Sequence, residues 1–149
     1  MTYKIIETNR KTSGGHPAGL DYIKYLGVTH VQIQPILDFN SIDDKNTKNW
    51  YNWGYDPISF FALEGSYSIH PEDAYSRLEE FRTMVDELHK NDLRLVVDVV
   101  YNHIYKYEER SLEKLVPHYY FRKRKNGLLS NASGCGNDIA SERKMARKL

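Results

Sequence analysis

The residues best suited to chemistry lie in two short stretches. Tyr51-Asn52-Trp53-Gly54-Tyr55-Asp56-Pro57 sets an amide and a carboxylate among three amphipathic rings, and Asp98, Asn102 and His103 break up and end an apolar run in D-V-V-Y-N-H. Sugars offer flat patches of C–H bonds rimmed by hydroxyls. Their sites therefore combine aromatic faces with carboxylates, amides and histidine, and Tyr and Trp suit them by being amphipathic. Six aromatics (Trp50, Tyr51, Trp53, Tyr55, Phe60, Phe61) fall within residues 50–61. From Asp38 to Glu64 they sit among Asp38, Asp43, Asp44, Asn52, Asp56 and Glu64, with Lys45 and Lys48 as the bases. That composition points to carbohydrate and away from phosphate. A second reading stays open, in which the stretch is a packed aromatic loop with Gly54 and Pro57 as turn residues. Likewise Asp98 either serves a site or satisfies a neighbouring backbone group or arginine, and His103 either serves a site or caps a strand.

The elements that must position these groups follow from periodicity. From His16, Leu20, Ile23 and Leu26 recur on one side of a short helix, with Gly27 as a left-handed stop. Val28 to Ile36 alternates as a strand. Pro71, Glu72 and Asp73 suit the first turn of a second helix in which Tyr75, Leu78, Phe81, Val85 and Leu88 share a face, closed by His89, Lys90 and Asn91. Leu93 to Val100 is a nearly continuous apolar run, the pattern of a strand buried on both faces. Helix, turn and strand occur twice, and the second helix makes a crossover of the βαβ kind, so the class is α/β. Alternation sets Val96, Asp98, Val100 and Asn102 on one face, and a carboxylate buried there needs a partner. In parallel α/β folds reactive groups collect at the carboxyl ends of strands. Two excursions leave from that end. One is a connection from 38 to 70, far longer than usual; the other is an irregular stretch over 104–137. A further helix is expected from Asp138, with Asp138 or Ser141 as cap.

Composition narrows the classes. The chain has 149 residues, 21 Lys plus Arg, 20 Asp plus Glu and one cysteine. One cysteine excludes a disulfide framework or a cysteine-based zinc site, and no apolar run nears the ~20 residues of a membrane helix. Met1 to Ser13 carries no secretory pattern. Residues 1–120 hold 13 basic and 18 acidic groups and 121–149 hold 8 and 2, so R-K-R-K (122–125) and R-K-M-A-R-K (143–148) are the places a polyanion could be drawn to. Such clusters are more often solvated surface, and neither a nucleic-acid nor a membrane partner is expected. Cys135 between two glycines reads as a small turn residue, and Asn131-Ala132-Ser133 matches a glycosylation pattern that also arises by chance. His16, His30, His70, His89 and His118 lack metal-ligand spacing and receive no site role.

Y-N-W-G-Y-D-P (51–57), E-G-S-Y (64–67) and D-V-V-Y-N-H (98–103) together resemble the pullulanase-type debranching enzymes of the α-amylase superfamily of glycoside hydrolases. The similarity runs along nearly the whole chain. G-G-H-P-A-G-L-D-Y-I-K-Y-L-G-V-T-H-V-Q (14–32) resembles the helix before the family's second barrel strand, and S-G-C-G-N-D-I-A-S-E-R (133–143) the segment before its third helix. D-V-V-Y-N-H is shared widely in the superfamily, whereas Y-N-W-G-Y-D-P is more specific.

The resemblance implies an incomplete (β/α)8 barrel across 1–149, with Val28–Ile36 as strand 2, Leu93–Val100 as strand 3, a substrate-site loop over 38–70 and an inserted subdomain over 104–137. It implies that Tyr55 stacks on the sugar beside the scissile bond and that Asp56 anchors that part of the pocket. His103 would hydrogen-bond the same sugar, with Asp98, Asn102 and Trp53 in support. No cofactor is implied. Asn102 matches a calcium position of some related amylases, but one side-chain oxygen cannot supply the six to eight ligands calcium takes. The implied substrate is a branched α-glucan (pullulan, amylopectin or glycogen-derived dextrins) cut at α-1,6 linkages with retention by a carboxylate nucleophile and an acid. Neither group has a counterpart here, both being expected beyond Leu149. The chain alone is therefore expected to be inactive and to need the remainder of the barrel. The alternative is a non-catalytic carbohydrate-binding or complementing piece. The implied location is the cytoplasm, with export also open.

Overall fold

A computed structural model describes residues 8–46 and 51–148; Lys48 and Trp50, named above, and Leu149 lie outside them. The described residues group into two compact units. One is drawn from Met1–Ile36, Ile42–Tyr51 and Leu63–Asp98, the other from Leu37–Ser41, Asn52–Ala62 and Val99–Leu149.

The first unit is a βαβ arrangement. Helix α1, Leu20–Tyr25, is followed by Gly27 at φ +69°, the left-handed stop its sequence predicts. Strands β1, His30–Ile33, and β2, Arg94–Val97, pair in parallel with His30 opposite Arg94 and Ile33 opposite Val97. Both are shorter than the runs that predict them. Helix α2, Ala74–Lys90, makes the crossover. Its start lies after Pro71 and Glu72, because Asp73 adopts an extended conformation and caps it: Oδ1 accepts from the Tyr75 N–H at 2.9 Å and Oδ2 from Ser76 Oγ at 2.9 Å.

Met84 and Leu88 of α2 bury with Leu20 and Leu93, flanked by Phe81, Val85, Val31, Ile33 and Leu95. Tyr75, expected on this face, is 80% exposed in the first turn, and Met84 takes its share of the core. β2 is not buried on both faces. Leu95 packs toward α2, whereas Val96 on the other face is exposed. A single packed helix covers one side of a strand pair, and the alternation records that. Asp98 is accordingly half-buried just past β2, with its N–H donating to the Ile33 carbonyl at 3.1 Å.

The second unit is built around β3, His103–Ile104, and β4, Asn137–Asp138, paired antiparallel. Phe60, Ile104, Phe121, Ile139 and Ala146 form its core. A short helix, α3, spans Ser111–Leu115. Among the described residues from Asp138 onward the expected helix is absent, and Ala146–Lys148 forms a 3-10 turn instead. Asp138 faces upstream instead: its carboxylate accepts from Ser130 Oγ at 2.5 Å and the Ala132 N–H at 3.1 Å, and its carbonyl from the Arg122 N–H at 2.8 Å. A residue so engaged cannot cap a following helix. No helix among the described residues is long and apolar enough to cross a membrane.

Candidate functional site

Tyr55, Asp56, Trp53, Asn102 and His103 all belong to the second unit, and Asp98 to the first. The turn carrying Trp53 and Tyr55 is set by Asn52 and Gly54. Gly54 is buried at φ +86°, a conformation glycine adopts without steric cost, and its N–H donates to Asn52 Oδ1 at 2.8 Å. Asn52 Nδ2 donates to the Asn40 carbonyl and to Asp56 Oδ1, both at 2.7 Å. Ser41 Oγ donates to Asp56 Oδ2 at 2.9 Å, and the Asn40 N–H donates to the Asp56 carbonyl at 3.1 Å. A bridge between Phe39 and Pro57, with the Ile58 N–H donating to the Asp38 carbonyl at 2.8 Å, ties the two arms below.

On this base two amphipathic rings reach solvent: Trp53 is 61% and Tyr55 38% exposed, one on each side of Gly54. His103 is 4% exposed, and its Nε2 lies 2.8 Å from the Tyr55 carbonyl. A carbonyl can only accept, so Nε2 carries the hydrogen. Nδ1 is buried and has no hydrogen-bond partner among the described residues. The Tyr105 N–H donates to the Pro57 carbonyl at 2.8 Å, so β3 and the chain just after it hold this turn twice, at Tyr55 and at Pro57. Gly136 permits the approach of the second strand, since a Cβ there would lie 2.5 Å from the Ile104 carbonyl oxygen.

The structure thus brings Tyr55, Asp56 and His103 together, with Trp53 beside them. Asn102 is exposed, its carbonyl accepting from the Ile139 N–H at 2.9 Å. Among the described residues no group of three or more His, Cys, Asp or Glu could hold a metal ion. Asn40 and Ser41 are polar groups of the site that the motifs do not announce. Asn52 was legible in principle, because Asn two residues before a glycine is an Asx-turn signal; Ser41 has no such signature.

One arginine of each basic cluster is tied into the fold. Arg122 pairs with Glu142 at 2.8 Å and donates to Ser141 Oγ at 3.2 Å, and Arg143 donates to the His118 carbonyl at 2.6 Å and to the Tyr119 carbonyl.

A family model described as alpha amylase, catalytic domain, matches residues 12–136. The chain is 49% identical over 145 residues to a pullulanase of Bacillus subtilis, a match covering 97% of this chain and 20% of that protein. It is 35% identical over 149 aligned positions to a glycogen debranching enzyme of Escherichia fergusonii, covering 93% and 22%. Among solved structures, a pullulanase type I from Bacillus subtilis complexed with maltose superposes with a TM-score of 0.92 at 49% identity, covering 99% of this chain and 21% of that one. A pullulanase from Anoxybacillus complexed with maltotetraose gives 0.93 at 45% identity, covering 99% and 22%. The chain spans about a fifth of the length of the relatives it matches.

Proposed function

The chain belongs to the α-amylase catalytic-domain family, and from that premise we propose that it carries part of the substrate-binding surface of a glycoside hydrolase acting on α-1,6 branch linkages of an α-glucan. In this reading β1 and β2 are the second and third strands of a (β/α)8 barrel, residues 38–70 form a substrate loop and 104–137 an inserted subdomain. The observation that carries the proposal is the pair of solvent-facing rings, Trp53 and Tyr55, on a turn braced by Asn52, Asp56 and His103. The relatives solved with maltose and maltotetraose support an α-glucan as the ligand.

Tyr55 stacks its ring on one glucose unit, a contact in which the C–H face of the sugar replaces water against an apolar surface. Asp56 anchors the turn beneath that unit. His103 holds the Tyr55 carbonyl, and it reaches the sugar itself when that bond is exchanged for one to the ligand. Bond cleavage follows the retaining route, in which a carboxylate attacks and a carboxylic acid protonates the leaving oxygen; none of the residues named here takes either role.

The test is linkage preference. The complete reading frame that encodes this chain, expressed and purified, should release maltotriose from pullulan and leave linear amylose largely uncut. Amylose cleavage with pullulan intact would assign the protein to a different activity within the family.

A further inference from the structure

We propose that Ser41 and Asn52 are positioning residues, which set the Asp56 carboxylate and with it the Tyr55 ring for the glucan; the inference rests on the sugar-site reading above. Each oxygen of Asp56 receives its own donor, Oδ1 from Asn52 Nδ2 at 2.7 Å and Oδ2 from Ser41 Oγ at 2.9 Å. The Asn52 amide is used in full. Its nitrogen serves Asp56 and the Asn40 carbonyl, and its oxygen takes the Gly54 N–H. One side chain therefore fixes both sides of the turn that presents Trp53 and Tyr55.

Ser41 adds the independent observation. It sits at φ +73°, in the left-handed region that disfavours any residue with a Cβ. Glycine would adopt this conformation freely. What serine supplies beyond glycine is the hydroxymethyl group whose oxygen donates to Asp56. The same oxygen accepts from Asn40 Nδ2 at 3.4 Å. A strained backbone that places a polar side chain in this way is the pattern found where surroundings over-determine a functional geometry. The carboxylate is thus held from two directions, by Asn52 and by Ser41. Ser41 is exposed and far in sequence from the turn it braces.

The experiment compares wild type, Ser41→Gly, Asn52→Ala and Asn52→Asp in the complete reading frame, with KM and kcat on pullulan and a thermal midpoint for each. Ser41→Gly should raise KM about tenfold as Asp56 and the turn lose one hold, while relief of the left-handed strain at Ser41 offsets the lost bond and keeps the midpoint near that of wild type. A purely structural serine would give a lower midpoint with an unchanged KM. Asn52→Asp keeps the shape of the side chain but sets a second carboxylate against Asp56, so its KM should exceed that of Asn52→Ala. A space-filling asparagine would give the opposite order. Ser41→Gly reports on the proposal even if Asn52→Asp does not fold. An active wild type with Ser41→Gly at wild-type KM would overturn this inference alone. A wild type that leaves pullulan intact would overturn the debranching reading and this inference with it.

Discussion

The glycine in E-G-S-Y sits where even a methyl group would collide with an ion pair. A Cβ at Gly65 would collide with Asp44 Oδ2 and Arg77 Nη2 and would lie 2.6 Å from Arg77 Cζ. Arg77 cannot easily yield, because Nε donates to the Pro71 carbonyl at 2.8 Å and Nη1 to the Leu63 carbonyl at 3.0 Å. Asp44 must therefore swing away and give up its 3.0 Å contact with Arg77. Overpacking of this kind costs ~1–3 kcal/mol. The ion pair has side chains 30% and 20% exposed, so solvent screening limits its loss to about 1 kcal/mol. Gly65→Ala should thus destabilise by roughly 2–4 kcal/mol. At about 2–4 °C per kcal/mol for a chain of this size, the thermal midpoint falls by roughly 4–16 °C. Circular dichroism melts of wild type, Gly65→Ala, Asp44→Ala and the double variant form a cycle. Removing the carboxylate ends the tightest of the three contacts and frees the Arg77 Nη2 end to shift, so the double variant should be milder than the sum by about 1 kcal/mol. A Gly65→Ala midpoint within 1 °C of wild type, or strict additivity, would refute the steric argument.

Other outcomes can be checked in parallel. Tyr55→Ala should raise KM on pullulan by about tenfold or more through loss of the stacking face, whereas Tyr55→Phe, which keeps the ring, should stay near wild type. Phe121→Ala, at the fully buried centre of the second unit's core, should cost ~3–5 kcal/mol in urea unfolding, and a loss under 1 kcal/mol would contradict the packing described. For Asp138, burial opposes the charge, but hydrogen bonds from Ser130 Oγ and the Ala132 and Ser133 N–H groups, with Arg122 nearby, outweigh it and hold the carboxyl below its ordinary range. Its stabilising effect is therefore present above the unfolded value of ~3.9 and is lost as pH falls through the lower folded value. Asp138→Asn should be less stable than wild type at pH 6, and the gap should close as the pH drops below ~4.

Much of the first unit could be read from the sequence because its forces are local and periodic. Gly27 ends α1 where it must, and the spacing of Phe81, Val85 and Leu88 fixes the buried face of α2. What failed there failed for want of neighbours. An apolar run such as L-R-L-V-V-D-V-V looks the same whether one face or both are covered, and Tyr75 fits the helical repeat without touching the core. The second unit was far less legible. Its strands are two residues long, too short for a period to register, and Asp138 resembles a helix cap while its bonds run backwards to Ser130 and Ala132. In the site the motif pointed to Tyr55, Asp56 and His103. That Nε2 of His103 is engaged by a backbone carbonyl, and that Ser41 is bent into a left-handed conformation to meet Asp56, are long-range facts with no local signature.

Tyr55 is the proposed surface that meets sugar, and a crystal structure of the protein soaked with maltotriose tests this most directly. The expected result is a glucose ring lying flat on Tyr55 with carbon atoms within ~4.5 Å of the phenol ring, over a turn still held by Asn52 and Asp56. Maltotriose bound with Tyr55 out of contact would contradict it.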